Sequence, residues 1–107
     1  MGEFWIKQND LRPQLTAYLS DVNGPLGLPS GTTIYFNMYP DSFSGGFSKA
    51  MSIINSGSGI VAYSWVSGDT SVAGDYLAEI LTNFTDGTSE RFPNFGYIQV
   101  HILECLA

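Results

Sequence analysis

The chain has 107 residues, the size of one ordinary domain, and its 44% hydrophobic and 14% aromatic content excludes an unfolded chain. Four cations (Lys7, Arg12, Lys49, Arg91) are scattered against ten carboxylates, a net charge of −6. With no basic stripe to neutralise phosphates, nucleic acid and anionic membrane surfaces are disfavoured as partners.

Period-two alternation, the mark of strands with one face in a core, runs through the chain. "EFWIKQ" (3–8) is a short first strand, and "PQLTAYLSD" (13–21) alternates Leu15, Ala17 and Leu19. Asn23-Gly24 is a strong turn dipeptide, and "GPLGLPSG" (24–31), with two prolines and three glycines, reads as a loop. In "TTIYFNMY" (32–39) one face carries Ile34, Phe36 and Met38 and the other Thr33, Tyr35, Asn37 and Tyr39. "PDSFSGGFS" (40–48) is a second loop. "KAMSIIN" (49–55) reads as a strand, although its apolar residues also fit one turn of helix. "GIVAYSWV" (59–66) sets Val61, Tyr63 and Trp65 on one side, and "GDYLAEILTNF" (74–84) aligns Tyr76, Ala78, Ile80, Thr82 and Phe84. Asp86-Gly87 marks a turn and "FPNFG" (92–96) a third loop. In "GYIQVHILECL" (96–106) one face reads Ile98, Val100, Ile102, Leu106 and the other Tyr97, Gln99, His101, Leu103. Seven or eight short strands, with turns every 8–12 residues, predict an all-β fold: an antiparallel immunoglobulin-like β-sandwich. No linker divides residues 1–107, so one domain is expected.

The string D-T-x-x-A-G-x-Y, from Asp69 to Tyr76, admits two readings. As chemistry it offers two carboxylates, Asp69 and Asp75, with no His, Lys or Cys nearby in sequence. As architecture, Gly74 permits a backbone conformation that other residues avoid, and Asp69 and Thr70 bond to turn backbone. Tyr76 returns its hydroxyl to upstream backbone, as in the tyrosine corner of immunoglobulin-like sandwiches, and Trp65 fills the space between sheets. Architecture is the favoured reading. The usual pair of inter-sheet cysteines is absent.

These stretches resemble, in order, the N-terminal domain of tailed-phage upper baseplate proteins (the BppU family). "FWIKQNDLRPQLTAYLSDVNG" (4–24) is similar to its opening and "TIYFNMY" (33–39, with Thr33 first) to its next core strand. "GIVAYSWVSGDTSVAGDYLAEI" (59–80) resembles its signature G-x-x-x-Y-x-W…D-T-x-x-A-G-x-Y, and "DGTSERFPNFGYIQVHI" (86–102) its close. The resemblance implies a free-standing relative of the platform-attachment module, without the coiled-coil and receptor-connecting parts that continue the multidomain proteins. It implies a non-enzymatic virion component, multi-copy in the particle, made in the bacterial cytoplasm, with other virion proteins as partners. The family's residues in these stretches are structural, so none carries over as catalytic. A capsid decoration or neck protein is the nearest alternative. A carbohydrate- or receptor-binding module for host attachment is another.

Searching for chemistry yields little. His101 and Cys105, the single residues of their types, sit four apart on an expected strand, too far to share a metal easily. Cys105 can form no internal disulfide, which suits a reducing cytosol. There is no G-x-S-x-G elbow, and "SGSG" (56–59) lacks the Lys and helix of a phosphate loop. No pair of carboxylates stands out for glycoside cleavage. No catalytic residue, metal or cofactor is therefore expected, nor a membrane partner: no apolar run reaches the ~20 residues of a span. The N-terminus also lacks the layout of a signal peptide. Tyr39, Phe43 and Phe47, set among Gly and Ser, and the loop residues Leu26 and Leu28 are the candidate partner contacts. The alternative for these side chains is that they fold back and cap the sandwich ends.

Overall fold

A computed structural model describes residues 2–21, 24–40 and 45–106. The chain is all-β, with no helix among the described residues. Eleven strands follow one another among the described residues: β1 Glu3–Lys7, β2 Leu15–Tyr18, β3 Ser20–Asp21, β4 Gly24–Pro25, β5 Thr33–Pro40 and β6 Phe47–Ala50, then β7 Ser52–Asn55, β8 Ile60–Tyr63, β9 Gly74–Asn83, β10 Ser89–Phe92 and β11 Ile98–Leu103. The larger sheet has the order β1-β11-β9-β5-β6, with β10 also on β9, the smaller has β2-β8-β7, and β3-β4 is a separate two-residue ladder.

The two sheets share one core, consistent with a β-sandwich. The larger contributes Ile6, Ile34, Phe36, Met38, Ala78, Ile80, Val100 and Ile102, and the smaller Leu15, Val61 and Tyr63. Alternation produces this division: in β5 the buried residues are Ile34, Phe36 and Met38, every second position. The ring of Phe36 stacks on Tyr63 at 4.8 Å across the interface, and Trp65 meets both edge-on at 5.7 and 5.2 Å. Such aromatic pairs add roughly 0.5–1.5 kcal/mol beyond the area they bury.

Several expectations need correction. There are more strands than seven or eight, because 47–55 breaks into β6 and β7 at Met51, and because β10 and the β3-β4 ladder come from segments rich in turn residues. The strand reading of "KAMSIIN" itself holds, and no turn of helix forms there. The sandwich is not wholly antiparallel, since β1 runs parallel to β11 with Trp5 opposite His101. Alternation marks a strand but carries no information on its neighbour or direction. Leu106 lies beyond the end of β11 and is exposed instead of joining the face of Val100 and Ile102.

Strands β10 and β11 occupy the same edge of β9. Phe92 is opposite Ile80 and Ile98 opposite Ala78, so residues 93–97 form an insertion facing the single residue Glu79. This insertion projects from the sheet as an extended bulge.

Candidate functional site

The Asp69–Tyr76 string spans the end of the turn from β8 and the first three residues of β9. The Asp69 side chain is 2% exposed. Its carboxylate accepts from the Tyr63 hydroxyl at 2.5 Å, Lys49 Nζ at 2.7 Å and the Val66 N–H at 3.0 Å. Burial pushes the Asp69 carboxyl up, but the three hydrogen bonds and the Lys49 charge together hold it below the usual carboxylate range. Burial, then the Asp69 hydrogen bond and charge, push the Tyr63 hydroxyl far up, so it stays a donor. Thr70, buried, donates its hydroxyl to the Asp10 carbonyl at 2.9 Å, and the Asn9 N–H reaches the Thr70 carbonyl at 2.9 Å. The Trp65 indole donates to the Pro13 carbonyl at 3.0 Å. Gly74 has φ +152°, in the range that favours glycine. The Tyr76 hydroxyl donates to the Val72 carbonyl at 2.7 Å. Every polar atom of the string that is engaged in this way is holding the turn to the sandwich.

The candidate contact residues divide. Leu28 is 5% exposed and belongs to the core, so it presents no surface to a partner; Leu26 packs against that core. Phe47 sits not in a loop but in β6, on the face of Met38, with its ring 6.1 Å from Phe36 and 5.9 Å from Tyr63. These side chains fold back because each lies next to apolar core that its burial completes. Tyr39 remains 37% exposed, on the outer face of β5. Phe43 lies outside the described residues.

On the outer face of the larger sheet, β1, β11 and β9 bring together a cluster that lies far apart in sequence. His101 Nδ1 is 2.7 Å from Asp75 and Nε2 2.9 Å from Glu3, while Trp5 stacks on the imidazole at 5.2 Å. The hydrogen bonds that Asp75 and Glu3 accept from the imidazole raise the His101 pKa against the opposing effect of burial. Occupied by carboxylates on both nitrogens, the ring is a strand clasp, not a free base. No group of three or more His, Cys, Asp or Glu that could hold a metal occurs among the described residues.

A cleft of about 570 Å³ lies along one side of the sandwich. Its floor is apolar, from Phe4, Ile80, Phe92 and Ile98, and one wall is β2. Pro93, Asn94 and Phe95 of the insertion line its rim, with Phe95 93% exposed, and Tyr18 stands on the β2 side, 70% exposed. Sequence reading missed this feature. "FPNFG" reads as a turn, and nothing in it separates Phe92, which is buried, from Phe95, which is not. Two phenylalanines flanking a Pro-Asn pair are the one available signal.

No family model matches the chain, and no curated protein matches it.

Proposed function

We propose that this chain is an immunoglobulin-like module and a non-enzymatic structural component of a tailed-phage virion, in the tail or baseplate, that docks onto other virion proteins. The observation that carries the reading is the use made of the Asp69–Tyr76 string. Its acid, threonine and tyrosine are engaged in tying a turn to the core, which supports a structural and not a catalytic role for the string. The strand orders support the immunoglobulin-like assignment. With β5 as strand C, β9 as F and β11 as G, the larger sheet corresponds to G-F-C-C′ with β1 added beside G, and the smaller to B-E-D. The ordered resemblance to the upper baseplate domain supports the phage context.

The test is quantitative mass spectrometry of purified particles. The chain is expected in them at a copy number near that of baseplate components. A copy number matching the major capsid protein transfers the role to shell decoration. Absence from particles, with the chain present in infected cells, overturns the virion reading.

A further inference from the structure

We propose that the cleft beside β2 receives an extended strand from another protein of the particle, which adds to the free edge of β2 and sets alternate apolar side chains onto Phe4, Ile80, Phe92 and Ile98. The inference rests on the docking reading above and names the kind of partner.

The edge is open. Among the described residues β2 pairs only with β8. The Leu19 N–H bonds to the Gly59 carbonyl, which fixes the phase of that ladder. Leu15 and Ala17, in phase with that bond, turn their backbone groups toward β8, whereas the Leu19 carbonyl accepts from Leu26 N–H; Thr16 and Tyr18 therefore turn theirs away from β8. Thr16 and Tyr18 are both exposed. Two donors and two acceptors, spaced by two residues, are the template that an added strand satisfies. A helix has no free backbone groups to offer them. In the immunoglobulin-like correspondence, this is the position beside B that strand A fills in an A-B-E-D sheet.

The floor asks for alternate apolar residues. A strand of four or five residues spans roughly 13–17 Å and turns two or three side chains to one face. The cleft, about 570 Å³ and walled along six consecutive residues from Leu15 to Ser20, accommodates such a face. Phe95 and Tyr18, both largely exposed, stand where they would close over the added strand.

Charge selects the source of the strand. Among the described residues Glu3 is the one Asp, Glu, Lys, Arg or His lining the cleft, and its carboxylate is directed at His101. A second copy of this chain brings a further −6 to a body already at −6, whereas a neutral or basic strand meets no such repulsion.

The test starts from a displayed library of random nine-residue peptides selected on the full chain. Enriched peptides are expected to alternate apolar and polar residues. A synthetic consensus peptide is expected to slow amide exchange at Thr16 and Tyr18 at least tenfold. N-methylation of the peptide at the positions facing β2 should weaken binding at least tenfold, and at the interleaved positions less than threefold. Thr16→Pro should abolish binding with the fold retained, since its N–H is outside the ladder with β8. Phe95→Ala should weaken binding severalfold with no change in thermal midpoint. Absence of enrichment, protection confined to other amides, or indifference to N-methylation overturns the proposal. A concentration-dependent dimer that protects the same two amides also overturns it, by making the occupant a second copy. None of these results alters whether the chain is found in particles, so the wider reading stands or falls separately.

Discussion

Replacing Asp69 with alanine removes the acceptor of three hydrogen bonds at a side chain only 2% exposed. The three losses differ in size. Lys49 is 41% exposed, so water replaces its partner and the pair contributes about 0.5 kcal/mol. The exposed Val66 N–H is also rehydrated, at about 0.5–1 kcal/mol. The Tyr63 hydroxyl belongs to a buried residue whose ring is stacked on Phe36, and leaving it unpaired costs about 2 kcal/mol. The sum is about 3 kcal/mol. With a urea dependence of ~1.5 kcal/mol/M, the unfolding midpoint should fall by about 2 M. Tyr63→Phe keeps the ring stack and should cost about 1.5 kcal/mol alone. In the double variant the orphaned hydroxyl is gone, so the combined loss should not exceed that of Asp69→Ala and should fall short of the sum by at least about 1.5 kcal/mol. The wild-type chain should also lose this contribution in acid. Asp69 has a depressed pKa when folded, so its stabilisation is present above the unfolded value of ~3.9 and disappears as pH falls through the folded one. A midpoint shift for Asp69→Ala below ~0.5 M, or strictly additive losses in the cycle, would refute the claim that this carboxylate anchors the turn to the core.

Three further outcomes follow from the same geometry. Tyr76→Phe should destabilise by ~1 kcal/mol through loss of the bond to Val72, and an unchanged denaturation midpoint removes the tyrosine corner. Phe47→Ser should lower stability by about 2–3 kcal/mol, because the ring packs on Phe36 and Tyr63; a neutral result would return Phe47 to the surface contacts. The His101 clasp should act in the opposite pH direction from Asp69. Its folded pKa is raised, so its contribution is full below the unfolded value of ~6.5 and lost as pH rises through the folded one. Thermal midpoints compared from pH 5.5 to pH 9 should therefore vary less in His101→Gln than in wild type, and an identical profile would show that the clasp carries no stability.

Period-two alternation determined most of the strands and the core. Ile34, Phe36 and Met38, or Val100 and Ile102, can be selected by parity alone because successive side chains of a strand point to opposite faces. Turn chemistry likewise made a local assignment of Asp69, Gly74 and Tyr76 legible, since a turn and the strand after it are contiguous in sequence. What the sequence left open are the relations between distant segments. The pairing of β1 with β11 joins residues about a hundred positions apart, and only that pairing, with β9 alongside, collects Glu3, Asp75 and His101 into one clasp. Parity also fails where a chain leaves its strand, which is why Leu106 is exposed. The cleft is the extreme case: its floor comes from β1, β9, β10 and β11 and its wall from β2. Whether a phenylalanine there is floor, like Phe92, or rim, like Phe95, depends on a five-residue insertion facing one residue of the neighbouring strand. Local composition specifies which face of a strand is apolar. Which apolar faces find cover inside the chain, and which are left for another molecule, is decided by tertiary packing, because burial is a property of the neighbours and not of the residue.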